Sequence, residues 1–420
     1  MIVIRLILES FRFAWNALKM NILRTVLSLL GVTVGIFAII SVFNLVDSLE
    51  RNIKDSFSFL GSGLIYVNKW PYPDGKSEFK WWEYFKRPNP SYREFNVLKE
   101  KLTTYSAISI FVDTEGVVVK RESNSYNETE LFGVSYDYKD ISELEIIDGR
   151  YFTRNEIEAG RRVVIIGHDV KNALFPNGQQ AVGKEIKIRN IDFYVIGVLA
   201  EEGESFLGFR SKDTHCIIPY DAFRRYKSTG TGRPNEMGSV IAVKGRETDV
   251  GLVELEGELT GLMRSLRGLR PKEDNNFALN RPEALTNLIS GTFDVLSVAG
   301  WIIGGFSILV GGFGIANIMF VTVKERTHII GIQKSLGAKN YFILFQFLFE
   351  AIFLSIIGGL AGLLLVVLIT FIPMGDLDVS LTLKNIVLGL GVSAIIGTVS
   401  GIIPAALAAR LDPVIAIRSN

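Results

Sequence analysis

Residues Ile22 to Val46 read ILRTVLSLLGVTVGIFAIISVFNLV, an apolar run with a single charge, Arg24, close to its start. It meets the roughly 20-residue length that a helix needs to cross the hydrocarbon layer of a bilayer. Three further runs do the same: Val295 to Val323, Phe342 to Ile372 and Ile386 to Ala409. A buried helix of a soluble protein could account for one such length but not for four. A cleaved signal peptide does not fit the first run, which exceeds a typical apolar core of roughly 7–15 residues and is followed by no A-x-A-like site. The chain therefore reads as an α-helical membrane protein with four transmembrane helices, the first an uncleaved anchor.

The 420 residues are 48% hydrophobic and 21% charged, with 45 Lys+Arg against 44 Asp+Glu, a formal net charge of +1. Such values exclude a disordered chain and a nucleic-acid binder that works through bulk charge. The single Cys, Cys216, excludes a disulfide framework within the chain. Positive charges fix the orientation. Arg5, Arg12, Lys19 and Arg24 precede the first span, Lys324, Arg326, Lys334 and Lys339 separate the second from the third, and Arg410 and Arg418 follow the fourth. If the spans alternate, all three groups lie on one side, which the positive-inside rule makes the cytoplasm.

The resulting plan is a cytoplasmic N-terminal segment 1–21, spans at 22–46, 295–323, 342–372 and 386–409, and a large extracytoplasmic domain 47–294. A cytoplasmic segment 324–341, a short external loop 373–385 and a cytoplasmic tail 410–420 complete it. The outer domain reads as α+β in two lobes. Leu64 to Val67 and Ala107 to Val112 flank a helical stretch, Tyr92 to Leu102; Val240 to Val243 and Asn276 to Leu279 flank another, Thr248 to Leu266. These two β-α-β units suggest a terminal lobe from about 47–112 and 236–281. An inserted β-rich lobe at about 113–235 would hold strands at Gly116–Lys120, Arg162–Ile166, Glu185–Arg189, Phe193–Val198 and Cys216–Ile218. Residues 69–92 carry Trp70, Trp81 and Trp82 on a proline-rich irregular loop, either a surface for partners or lipid or a loop packed on its own domain.

Chemical motifs are sparse. Gly178 to Lys184 fits a phosphate-binding loop until Glu185 stands where a Ser or Thr would hold magnesium. The stretch also precedes a strand-like segment rather than a helix, so Gly183 reads as a turn glycine. His168, His215 and His328 are scattered, with no H-E-x-x-H helix and no G-x-S-x-G turn. No catalytic residue, cofactor or metal ligand is therefore expected. Glu350 is the clearest ionisable residue within a span, too little for an ion-coupled carrier. Each span holds a G-x-x-x-G pair: Gly31/Gly35, Gly300/Gly304, Gly358/Gly362 and Gly397/Gly401. Four residues apart is one helix face, so these glycines predict close helix packing, within a subunit or across a dimer.

Residues 317–339 read NIMFVTVKERTHIIGIQKSLGAK. Here the chain resembles the MacB/FtsX-type permease family of ABC transporters, in which N-I-M-x-V-x-V-x-E-R-T-x-x-I-G-I-x-x-x-x-G-A follows the second span. Asn317, Ile318, Met319, Val321, Val323, Glu325, Arg326, Thr327, Ile330, Gly331, Ile332, Gly337 and Ala338 fit the pattern. The similarity extends to Leu29–Gly35, Gln346–Ala351, Pro404-Ala405 and Ala408–Val414 in the membrane part. In the outer domain it includes Asp148–Phe152, Val182–Lys184 and Phe193–Val198; the Trp-rich loop departs from the commoner pattern.

The resemblance implies a permease subunit without catalytic activity of its own, a homodimer or heterodimer in the inner membrane with its large domain periplasmic. ATP would be bound by a separate ABC ATPase subunit docking on Lys324, Glu325, Arg326, Thr327, Ile330, Gly331 and Ile332. The helix from roughly Pro282 through Phe320 would act as a lever, and export would proceed through a periplasmic adaptor and an outer-membrane channel. Lipoprotein release or regulation of a cell-wall hydrolase fits the same fold. An ATP-independent membrane-anchored receptor is the rival outside it.

Overall fold

The computed structural model describes residues 22–57, 61–73, 79–142, 144–203, 211–372 and 379–418. The expected cytoplasmic segment 1–21, the middle of the aromatic loop (74–78) and most of the short external loop (373–378) lie outside the described residues. The chain divides into two compact units, Met1–Asn52 with Gly291–Asn420, and Ile53–Ser290.

In chain order the elements begin with α1 (Ile22–Ser56), β1 (Leu64–Asn68), α2 (Trp81–Phe85), α3 (Tyr92–Lys101), β2 (Tyr105–Arg121) and β3 (Asn124–Val134). There follow β4 (Ile146–Gly149), α4 (Arg154–Glu158), β5 (Val163–Ile166), α5 (His168–Leu174), β6 (Glu185–Ile188), β7 (Ile191–Leu199), β8 (His215–Pro219) and α6 (Tyr220–Tyr226). The chain closes with β9 (Val240–Gly245), α7 (Val253–Leu266), β10 (Ala278–Asn280), α8 (Pro282–Glu325), α9 (Thr327–Ser335), α10 (Asn340–Thr370), α11 (Leu383–Arg410) and α12 (Pro413–Arg418).

The unit Ile53–Ser290 is built on one ten-stranded sheet of order β10-β1-β9-β2-β3-β8-β5-β7-β4, with β6 bridging β2 and β7. β9 lies antiparallel between β1 and β2, and β1 antiparallel between β9 and β10. The two terminal β-α-β units are thus interleaved, each supplying the strand that fills the gap in the other, a split β-α-β arrangement. The sheet does not stop where the sequence reading divides two lobes. Ala107–Val112 and Gly116–Lys120 belong to one long strand, β2, whose pairing with β3 shifts register between Thr114 and Val119. Gly116 supplies the positive φ of 65° at this bulge. Strands of the terminal segments occupy one end of the sheet and those of the middle segment the other.

Ile108, Ile110, Val112, Val117 and Val119 of β2 line a single core with Leu98 of α3, Leu174 of α5, Phe223 of α6 and Leu255 and Leu259 of α7. Each such side chain contributes about 1.5–3 kcal/mol when fully buried. Capping fixes the helix starts. Ser91 and Glu94 form a reciprocal capping box on α3, and Glu94 also accepts from Arg267 Nε at 2.7 Å, fastening α3 to the end of α7. α7 starts later than the expected Thr248 because the Asp249 carboxylate accepts from the Glu254 and Leu255 amides. Gly183 has a φ of +81° and leads into the hairpin β6–β7, whose turn residues Arg189 and Asn190 are both left-handed.

Among the described residues, four helices, α1, α8, α10 and α11, are long and apolar enough to cross a membrane. α1 continues to Ser56, past the expected boundary at residue 46. α8 is 44 residues long. At 1.5 Å per residue it spans about 66 Å, roughly twice the hydrocarbon thickness. Its start at Pro282 uses the fixed φ of proline at a position that lacks an amide acceptor in any case.

The expected glycine pairs all face other spans of the same chain. A Cβ on Gly35 would stand 3.0 Å from Ser307 O of α8, and one on Gly31 would touch Gly311 Cα at 3.7 Å. Gly300 and Gly304 receive Val42 and Ile39 of α1, and Gly358 and Gly362 of α10 abut Val32 and Thr33 of α1. Gly397 and Gly401 of α11 meet Ile352 and Ala351 of α10. The glycines hold the four-helix unit together, with Val32, Ile36, Met319, Phe347, Ala351 and Ala405 in its core. Large apolar side chains such as Phe306, Val310, Phe313, Leu364 and Val399 point outward, as lipid-facing surfaces do.

Candidate functional site

The segment between α8 and α10 is organised by three local devices. The first is a break: Arg326, with φ −101° and ψ 9°, separates α8 from α9, and Thr327 Oγ1 donates back to Val323 O and Lys324 O. The second is the end of α9. Gly337 N donates to Lys334 O and Ala338 N to Gln333 O, the paired bonds of a Schellman motif, with Gly337 at a φ of +99°. That motif explains why Gly337-Ala338 stands at this point in the sequence. The third is α12, which lies within the expected cytoplasmic tail 410–420. Asp412 caps it by accepting from Val414 N at 2.8 Å.

α9 rests on α12 and on the end of α11. Gly331 lies against Ala416 and Ile417, leaving room for no side chain, and His328 Nδ1 lies 3.2 Å from Ile417 O. Lys334 Nζ donates to Ala409 O at 2.9 Å and Leu411 O at 2.6 Å, placing a cation on the carbonyl end of α11. This divides the residues expected to meet an ATPase. Lys324, Glu325 and Ile332 are exposed, and Thr327 is half-buried. Ile330 is 1% exposed and Gly331 is buried, so both lie behind the surface rather than on it. Arg326 turns inward, and its Nη1 donates to Glu350 Oε2 of α10 at 3.2 Å.

This assembly exposes several large apolar side chains. Ile329, Ile332 and Leu336 of the α9 region are 52%, 41% and 83% exposed, and Val414 and Ile415 of α12 are exposed as well. None of these five lies within the four membrane-length helices. The sequence reading names Ile332 among the docking residues but singles out neither Val414 nor Ile415 for that role. The signal that could have found them is Asp412-Pro413, an N-cap and first-turn pair.

Residues 25–253 match the model of the MacB-like periplasmic core domain, and residues 301–413 match that of the FtsX-like permease C-terminal. The chain belongs to the MacB/FtsX-type ABC permease family. The pyoverdine export ATP-binding/permease protein PvdT of Pseudomonas aeruginosa is 32% identical to this permease over 99% of the chain and 59% of its own length. PvdT of Pseudomonas entomophila is 29% identical over 98% of the chain and 60% of its own length. This permease thus spans about 60% of the length of such relatives. The periplasmic region of MacB from Actinobacillus actinomycetemcomitans is similar with a TM-score of 0.43 and 21% identity, covering 55% of this chain and 94% of that one.

The aromatic loop of this permease is anchored at both ends of its described part. Asn280 donates to Trp70 O and accepts from Tyr72 N, while Asn89 donates to Arg233 O and Glu236 O. Lys69 Nζ donates to Pro234 O at 2.9 Å and lies 4.9 Å from the Phe85 ring. Trp70, Phe85, Asn89 and Gly238 line a cavity of about 530 Å³ there, and Trp81 and Trp82 of α2 face outward. Among the described residues, no group of three or more His, Cys, Asp or Glu side chains could hold a metal ion.

Proposed function

We propose that this permease works in the inner membrane as the moving part of an exporter, with its α/β unit in the periplasm and both termini in the cytoplasm. ATP hydrolysis by a docked ABC ATPase displaces α9, and α8 carries the displacement to the α/β unit. A second permease, identical or similar, completes the pair, and a periplasmic adaptor receives the substrate on the way to an outer-membrane channel. Export is the activity in the names of the relatives. The reading is carried by one observation: α9 and α12 present an apolar face outside the membrane-length helices, flanked by the charged Lys324 and Glu325. An apolar patch with a charged rim is the anatomy of a protein contact.

The test is to place a charge on that face. Ile332→Glu and Leu336→Glu alter exposed side chains, so stability should move by no more than about 0.5 kcal/mol. Hydrolysis of ATP by the cognate ATPase, measured in nanodiscs, should lose its stimulation by the permease. Undiminished stimulation in both variants rejects docking at this face. Survival of all activity after loss of the ATPase would instead favour the receptor reading.

A further inference from the structure

Arg326 and Glu350 form a buried charged pair in the helical unit that a docking surface does not explain. The Glu350 side chain is 1% exposed and that of Arg326 17%. Glu350 Oε1 has no hydrogen-bond partner, nor has Gln346 Oε1, one turn earlier on α10. Met319 and Val323 of α8 and Phe347 and Ala351 of α10 belong to the apolar core of the same unit, in which Thr322 and Gln346 are also buried. A buried ion pair in such surroundings holds helices together no better than well-packed apolar side chains would. An incompletely satisfied network is worse still. Stability therefore gives no reason for the pair.

Its position does. Arg326 is the single residue between α8 and α9, and Glu350 ties it to one point on α10. The other anchors of α9, Gly331 and Lys334, lead to α12 and the end of α11. We propose that the Arg326–Glu350 pair is a pivot: α9 turns about its N-terminal end, and its displacement passes through the guanidinium to α10 as well as along α8. This rests on the coupling role of α9 proposed above and makes both residues positioning residues rather than docking contacts. The unpartnered Glu350 Oε1 and Gln346 Oε1 supply further acceptors along α10 on which the guanidinium can re-seat as the angle changes.

The experiment uses the full chain in lipid nanodiscs with spin labels at Ser335→Cys and Leu368→Cys, both exposed positions. The native Cys216 is fully buried and does not compete for the label. With labelled protomers diluted in unlabelled ones, the unsubstituted pair should give one narrow distance distribution. Glu350→Gln and Arg326→Gln should each broaden it at least twofold, Arg326→Lys should keep it narrow, and the double variant should be no broader than either single one. Unchanged widths, or additive broadening, overturn the pivot. Should Glu350→Gln not fold, the half-buried Arg326→Gln and Arg326→Lys give the same reading. With the ATPase added, Glu350→Gln should lower stimulation at least fivefold while leaving the affinity for the ATPase unchanged. Full stimulation despite a broadened distribution also overturns the proposal. Stimulation that is intact in Ile332→Glu and Leu336→Glu rejects the docking reading instead, whatever the distances show.

Discussion

A methyl group added at Gly397 separates helix packing from helix propensity. The new Cβ would stand 2.7 Å from Ile352 Cα and 2.9 Å from Ala351 O, well inside the 3.4 Å at which ordinary contact begins. Both atoms are backbone of α10 and cannot swing away, so α10 and α11 must part. Gly391 lies on the same helix and has nothing within 4 Å of its added Cβ. Gly391→Ala and Gly397→Ala share the gain of about 0.8–1 kcal/mol for alanine over glycine in a helix. Only Gly397→Ala meets the overpacking penalty, about 1–3 kcal/mol. The difference between the two variants is therefore expected to be about 1–3 kcal/mol, with Gly397→Ala the less stable. Unfolding of the whole chain by SDS in dodecylmaltoside micelles, followed by helicity, measures it. Coincident transitions for the two variants, or a more stable Gly397→Ala, would refute the packing argument.

Lys334→Met should lower stability by about 1–3 kcal/mol, because two carbonyls at the end of α11 lose a charged donor. The same micelle titration checks this, and an unchanged midpoint would show that the lysine is incidental. Arg150 donates to Glu156 at 2.7 Å and holds its carboxyl down to about 2. A carboxyl lowered in the folded state stabilises above its unfolded value, about 4.3, and loses that contribution as the pH falls through the folded value. The wild type should thus unfold at a higher temperature than Glu156→Gln at pH 6, and the gap should close towards pH 2. A gap that stays constant across this range would contradict the pairing.

What was legible in the sequence is what repeats within one element. Span lengths, the G-x-x-x-G faces and the helix start at Arg281-Pro282 follow from rules that act over a few residues. β2 shows where such reading breaks: Asp113, Thr114, Glu115 and Gly116 carry turn chemistry, yet they form a bulge within one strand. β3 was missed because Asn124, Asn127, Glu128 and Glu130 have low strand propensity, and the strand is held by its neighbours. At the candidate site the motif N-I-M to G-A located the segment but not the facing of its residues. Ile330 and Ile332 look alike in sequence, yet the first joins the core of the helical unit and the second stays exposed. The Arg326–Glu350 pair likewise depends on how α10 packs beside the break.

In the proposed coupling, ATP hydrolysis in the cytoplasm moves the α/β unit. Labels at exposed Val250 and exposed Leu368 report the distance between that unit and α10. With the cognate ATPase in nanodiscs, trapping the ATP-bound state should shift this distance by several ångströms, on the order of one helical turn, and Leu336→Glu should abolish the shift. An identical distribution with and without ATP, in a complex that hydrolyses ATP at its full rate, would contradict the account.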